Sequence, residues 1–125
     1  MISRRQARRQ ALFLLYQWDL SGQPIGSQYD GEIDPWARAV ADEVAEQAGE
    51  LDARITAAAE GWTADRLGTV ERSALRVAVH ELRSGSVPPE VAINEAVAFA
   101  KRYASDDAAR LVNGILGRIQ REEAA

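Results

Sequence analysis

The chain has 125 residues, no cysteine and a formal net charge of −4. That length suits a single domain over 1–125 with one sizeable core, and the missing cysteines exclude a disulfide framework and a thiolate metal site. Four arginines against one aspartate in residues 1–29 precede ten acids against two arginines in 30–65, so a basic tip on an acidic chain points to local rather than indiscriminate contact with nucleic acid.

Most segments show a helical period, and no alternating β-branched run is long enough to compete as a strand, so the reading is all-α. Helix one is predicted from about Ser3 to Leu20, with Ala7, Ala11, Leu14, Leu15 and Trp18 on one face. Its apolar run, Ala11 to Tyr16, is far too short to cross a membrane. Gln17 and Asp19 follow with no small-residue cleavage site, so "RRQARRQALFLLYQW" reads as mature structure rather than a signal peptide. The lack of cysteine agrees with a cytoplasmic setting.

"SGQPIGSQYDGEID" reads as a loop. Helix two is expected from Asp34, with Pro35 at its first position, to about Gly49. A shorter third helix ends near Gly61, and "TADRLGTV" is a turn region with room for one helical turn. Helix four covers about Val70 to Arg83. Pro88 and Pro89 open helix five, which ends near Tyr103. Ser105 is the expected N-cap of helix six, with Asp106 and Asp107 in its first turn, and this helix runs to about Arg121.

Catalytic patterns are absent: no HExxH, EF-hand or Walker motif occurs. The single His80 falls on the side of helix four away from Val70, Ala74 and Val77, where an exposed imidazole with no nucleophile is expected. The reading is therefore non-enzymatic, with no metal and no cofactor.

Two basic clusters stand out. Arg4, Arg5, Arg8 and Arg9 span about 140° of helix one, mostly clear of its apolar face, and Tyr16 shares the side of Arg5 and Arg9. On helix five, Ile93, Ala96, Val97, Ala100 and Tyr103 form the apolar stripe, with Lys101 and Arg102 opposite. On helix six the stripe is Ala108, Leu111, Val112, Ile115 and Ile119, with Arg110 and Asn113 away from it. A turn at Ala104 gathers Lys101, Arg102 and Arg110 into one neighbourhood suited to phosphates and base edges. A solvated helix junction is the plainer reading of the same residues. Arg8 and Lys101 both point away from the predicted stripes, so reversing either charge should spare the fold. Glu81 projects into the apolar stripe of helix four, where a carboxylate needs either an internal arginine or a protein partner.

"VAINEAVAFAKRYASDDAARLVNGILGRI", from Val91 to Ile119, strongly resembles the C-terminal signature of the NusB family of transcription antitermination factors. "RRQARRQALFLLYQWDL" and "VERSALRVAVHEL" resemble the family's Arg-rich first helix and its central helix, in family order and spacing. The loop after helix one is brief for the family. The resemblance implies two roughly perpendicular three-helix bundles. It also implies binding to the boxA element of nascent rRNA transcripts together with the ribosomal protein NusE, in a complex that helps RNA polymerase resist termination.

By resemblance, Arg4, Arg5, Arg8 and Arg9 match the family's RNA-binding arginines. Lys101, Arg102, Asp107, Arg110 and Leu111 fall in its second RNA-contacting region, and Tyr16, Arg76 and Glu81 in or near its NusE-facing surface. Leu111 stands where many members carry Phe, and Arg102 adds a cation where a small polar residue is common. Two other readings change the job. NusB-like domains also begin rRNA cytosine methyltransferases, although this sequence reaches Ala125 without a catalytic domain, and the acidic middle suits a helical protein–protein adaptor with no RNA role.

Overall fold

The computed structural model describes residues 2–124. Six α-helices follow one another: α1 (Arg4–Ser21), α2 (Pro35–Glu46), α3 (Ala48–Ala58), α4 (Thr69–Ser84), α5 (Pro89–Tyr103) and α6 (Asp106–Ala124). A 3-10 turn over Ala64–Arg66 precedes α4, and no strand occurs among the described residues.

Local chemistry sets most of the ends. Ser3 caps α1 by accepting from the Gln6 N–H at 3.1 Å, while the Gln6 side-chain oxygen accepts from the Ser3 N–H at 2.9 Å. Asp34 accepts from the Trp36 and Ala37 N–H groups at the start of α2, and Pro35 supplies the fixed first φ. α1 and α4 each stop at a glycine in the left-handed region, Gly22 (φ 72) and Gly85 (φ 66). Ser105 Oγ accepts from the Ala108 N–H at 3.0 Å, so the corner between α5 and α6 turns over only Ala104 and Ser105.

α4 is the axis of the molecule. It touches every other helix, α5 and α6 pack on each other and on it, and α1 lies against α2 and α4. Its buried Ala74, Leu75, Ala78 and Val79 meet Leu14 and Leu15 of α1, Leu51 and Ile55 of α3, and Val112, Leu116 and Ile119 of α6 in one continuous core. α1 to α3 and α4 to α6 form the two three-helix groups.

Several expectations shift. Helix two ends at Glu46, and Gln47 departs from helical geometry (φ −93, ψ 4) before α3 begins. No Gly or Pro marks that break; the Gln47 side chain instead lies 3.2 Å from His80. Leu12, Phe99 and Leu116 join the core, although the expected stripes omitted them, while Tyr103, placed on a stripe, is exposed. Trp18 and Leu111 are only half-buried.

Candidate nucleic-acid interface

The basic N-terminal half of α1 lies beside the C-terminal half of α5, and a cleft of about 290 Å3 separates them. Leu12 and Phe99, both buried, give it an apolar floor; Arg5, Arg9, Lys101 and Arg102 rise around it. On the other side of α5, Lys101 also borders a shallower groove shared with Asp106, Arg110 and Asn113 of α6. Lys101 is thus common to both hollows, and the two basic clusters, about 90 residues apart in sequence, form one continuous surface.

The cations on this surface are held to different degrees. Lys101 makes no ion pair among the described residues. Arg110 pairs with Asp107, but both side chains are strongly exposed, so the pair contributes little stability and a phosphate can replace the carboxylate. Arg5 donates to Glu95 at 2.9 Å while its own side chain stays 68% exposed. Arg4 stacks 4.2 Å from the centre of the Trp36 ring. Arg102 donates to the Tyr103 hydroxyl at 3.1 Å. Tyr103 packs edge-on against Phe13 at 5.0 Å, carries the Arg102 guanidinium 5.5 Å from its ring centre, and is 38% exposed at the rim of the cleft. Leu111 is half-buried and packs against the core.

Arg8 departs from expectation. It is 4% exposed rather than clear of the core, and its Nε lies 3.0 Å from each Glu81 carboxylate oxygen, with Nη2 at 2.9 Å. This pair joins α1 to α4 across 73 positions of sequence. Leu12, one turn beyond Arg8, was the missing signal: with it in the core, the buried arc of α1 extends to Arg8. The pair gives Glu81, which is 2% exposed, the internal arginine that one of its two readings required.

Arg76, carried over to a partner-facing position, is 6% exposed. It forks onto Asp52 of α3 at 2.8 and 2.7 Å, and lies 3.5 Å from Asp19 of α1. Burial alone would lower its pKa, but the hydrogen bond and charge of Asp52, with Asp19 behind them, raise it above the usual guanidinium value. Arg72 joins the network, donating to Asp19 at 2.8 Å. Tyr16 is half-buried. His80 is also half-buried rather than exposed, with Nε2 3.1 Å from Glu43 of α2. Among the described residues no three His, Cys, Asp or Glu side chains could hold a metal together, and no helix is long and apolar enough to cross a membrane.

Glu95 and Tyr103 escaped the sequence reading of the site. Tyr103 was assigned to an apolar stripe, although the last residue of a helix often clears the core. Glu95 becomes visible only once α1 is laid beside α5.

The NusB family profile matches residues 5–121. A transcription antitermination protein NusB from Rubrobacter xylanophilus is 43% identical over 122 residues, covering 92% of this chain and 88% of the relative. A NusB structure from T. maritima superposes with a TM-score of 0.85 at 31% identity, over 97% of this chain and 92% of that one. A crystal structure of the antitermination factors NusB and NusE in complex with dsRNA holds a chain that superposes with a TM-score of 0.82 at 32% identity, over 95% and 96% of the two. The all-helical, two-bundle architecture expected from the sequence is met by these matches. On sequence and fold together, the chain belongs to the NusB family.

Proposed function

We propose that this chain is a transcription antitermination factor acting as one RNA-binding domain over 1–125. Its ligand is boxA-type single-stranded RNA of nascent rRNA transcripts, bound together with the ribosomal protein NusE within an RNA polymerase antitermination complex in the cytoplasm. No reaction is catalysed. The observation that carries this reading is the continuous basic surface across α1, α5 and α6, hinged on the unpaired Lys101. A structural relative in complex with NusE and dsRNA supports the choice of partners.

Arg5, Arg9, Lys101, Arg102 and Arg110 take the phosphates, since guanidinium and ammonium groups on exposed helix faces pair with them at little cost to folding. Arg4 supports the edge of that surface from Trp36, and Asp107 orients Arg110 until RNA displaces it. Tyr103 offers the exposed aromatic ring that Leu111 lacks. Arg8, Arg76 and Glu81 act from inside: they fix α1 and α3 on α4 and so set the shape of both binding faces. Tyr16 remains the residue of the partner-facing set with an accessible side chain.

Lys101→Glu is expected to lower RNA affinity while leaving the melting temperature unchanged, because the side chain is exposed and unpaired. With about 3–5 phosphate contacts, the log–log salt slope of the wild type should be roughly −2 to −3.5, and the variant's shallower by about 0.7. Salt titrations by fluorescence anisotropy read both quantities; unchanged affinity and slope remove this surface from RNA binding. NusE should tighten RNA binding by about 1–3 kcal/mol of coupling. Equal RNA affinity with and without NusE contradicts the joint complex, and NusE binding with no RNA affinity favours a protein adaptor.

A further inference from the structure

We infer that the RNA path continues over α6 to Trp62, whose exposed indole stacks a nucleobase of the same single strand. This rests on the RNA-binding reading above and extends it past Arg110 and Leu111 to the opposite flank of α6, adding Trp62 to the residues expected from the sequence.

Three observations meet there. Trp62 is 48% exposed, an unusual position for the largest apolar side chain, and its backbone is fixed by donation from its N–H to the Ala59 carbonyl at 2.8 Å. It borders a hollow of about 370 Å3 floored by Leu111, Gly114 and Ile115. Around Gly114 that hollow is open: a Cβ built there would meet no heavy atom within 4 Å. Arg110 borders both this hollow and the groove that contains Lys101. The basic surface therefore does not end at Arg110 but passes over it.

Charge chooses the occupant. Arg118 is committed to Glu60 at 2.9 Å and Glu122 at 3.0 Å. Hydrogen bonds from Arg54 and then Arg118 hold the Glu122 carboxyl below the usual carboxylate range, so it stays an anion at neutral pH. Arg121 makes no ion pair among the described residues, and the exposed pairing of Arg110 is weak. Two available cations, about 16 Å apart along the helix, thus flank an apolar floor and an open aromatic ring. Cations that follow a backbone, with an aromatic face between them, are the arrangement that holds single-stranded nucleic acid. It also places stacking on this flank although position 111 carries no aromatic ring.

The test compares wild type, Trp62→Ala and Trp62→Phe with labelled single-stranded RNAs of about 4 to 16 nucleotides, a range that spans known site sizes. Short strands that fill only the α1–α5 cleft should bind all three alike. Longer strands should gain affinity on the wild type and lose about tenfold on Trp62→Ala, with Trp62→Phe retaining most of the gain. Long RNA should also quench wild-type tryptophan emission more than short RNA does, and this added quenching should be missing in Trp62→Phe, which keeps Trp18 and the Trp36 under Arg4. This second readout holds even where Trp62→Ala folds poorly. Added quenching by long RNA that persists in Trp62→Phe, equal loss at every length, or a loss confined to binding of the protein partner overturns the inference. If strands bind through Lys101 and ignore Trp62, only this extension fails. If no strand binds the wild type, the RNA-binding reading fails with it.

Discussion

Arg8→Glu should melt roughly 10–20 °C below the wild type. The substitution places two carboxylates together where a bidentate ion pair now sits, with side chains 5% and 3% exposed. Breaking a buried pair by removing one partner costs about 3–5 kcal/mol, and a helical domain of this size loses several degrees for each. Thermal unfolding followed by circular dichroism measures it, and a shift under about 2 °C would show that the pair does not hold the fold. The same change therefore cannot test RNA contact, because any loss of binding would follow from loss of structure. A paired replacement can. Arg8→Met with Glu81→Leu removes both charges and keeps an apolar contact, an exchange that is often neutral for stability. If this double variant melts normally and binds RNA normally, Arg8 acts by positioning α1. If it melts normally and loses the RNA, the guanidinium itself reaches the ligand.

Arg76→Leu should cost about 3 kcal/mol by leaving Asp52 and Asp19 facing one another without their shared cation. Asp19 keeps Arg72, so the loss falls mainly on the attachment of α3, through Asp52. Urea unfolding should show a lower midpoint at unchanged slope, the signature of lost stability in an unaltered fold. Arg76 would instead be a direct partner contact if NusE binding disappeared while the midpoint stayed where it was.

These two arginines mark where sequence reasoning stops. The six helices were legible because their signals are local: Pro35 and Pro89 at helix starts, Gly22 and Gly85 just past helix ends, and Ser105 ahead of two aspartates. The gathering of Lys101, Arg102 and Arg110 was legible for the same reason, since one short corner separates them. Arg8 was not. Periodicity counts an arginine as a surface residue, and nothing near it in sequence reveals a carboxylate waiting 73 positions away. Glu81 was noticed as an acid in an apolar stripe, but the helix wheel of α4 says nothing about which helix faces it. His80 misled for a related reason: clear of the stripe on its own helix, it is covered by α2. Buried polar pairings between helices are tertiary facts, and hydrophobic spacing carries no record of them.

The arginines of α1 are also unequal in how much motion remains to them. Arg4 rests on the Trp36 ring and Arg5 is held by Glu95, each before any ligand arrives. A free arginine carries about 2 kcal/mol of rotamer entropy, which binding must otherwise remove. Trp36 lies in the acidic middle of the chain, and Glu95 is itself an acid. On the RNA-binding function proposed above, a neutral ring and an acid would thus serve as jigs, restricting cationic side chains to orientations a phosphate backbone can meet without first stilling them.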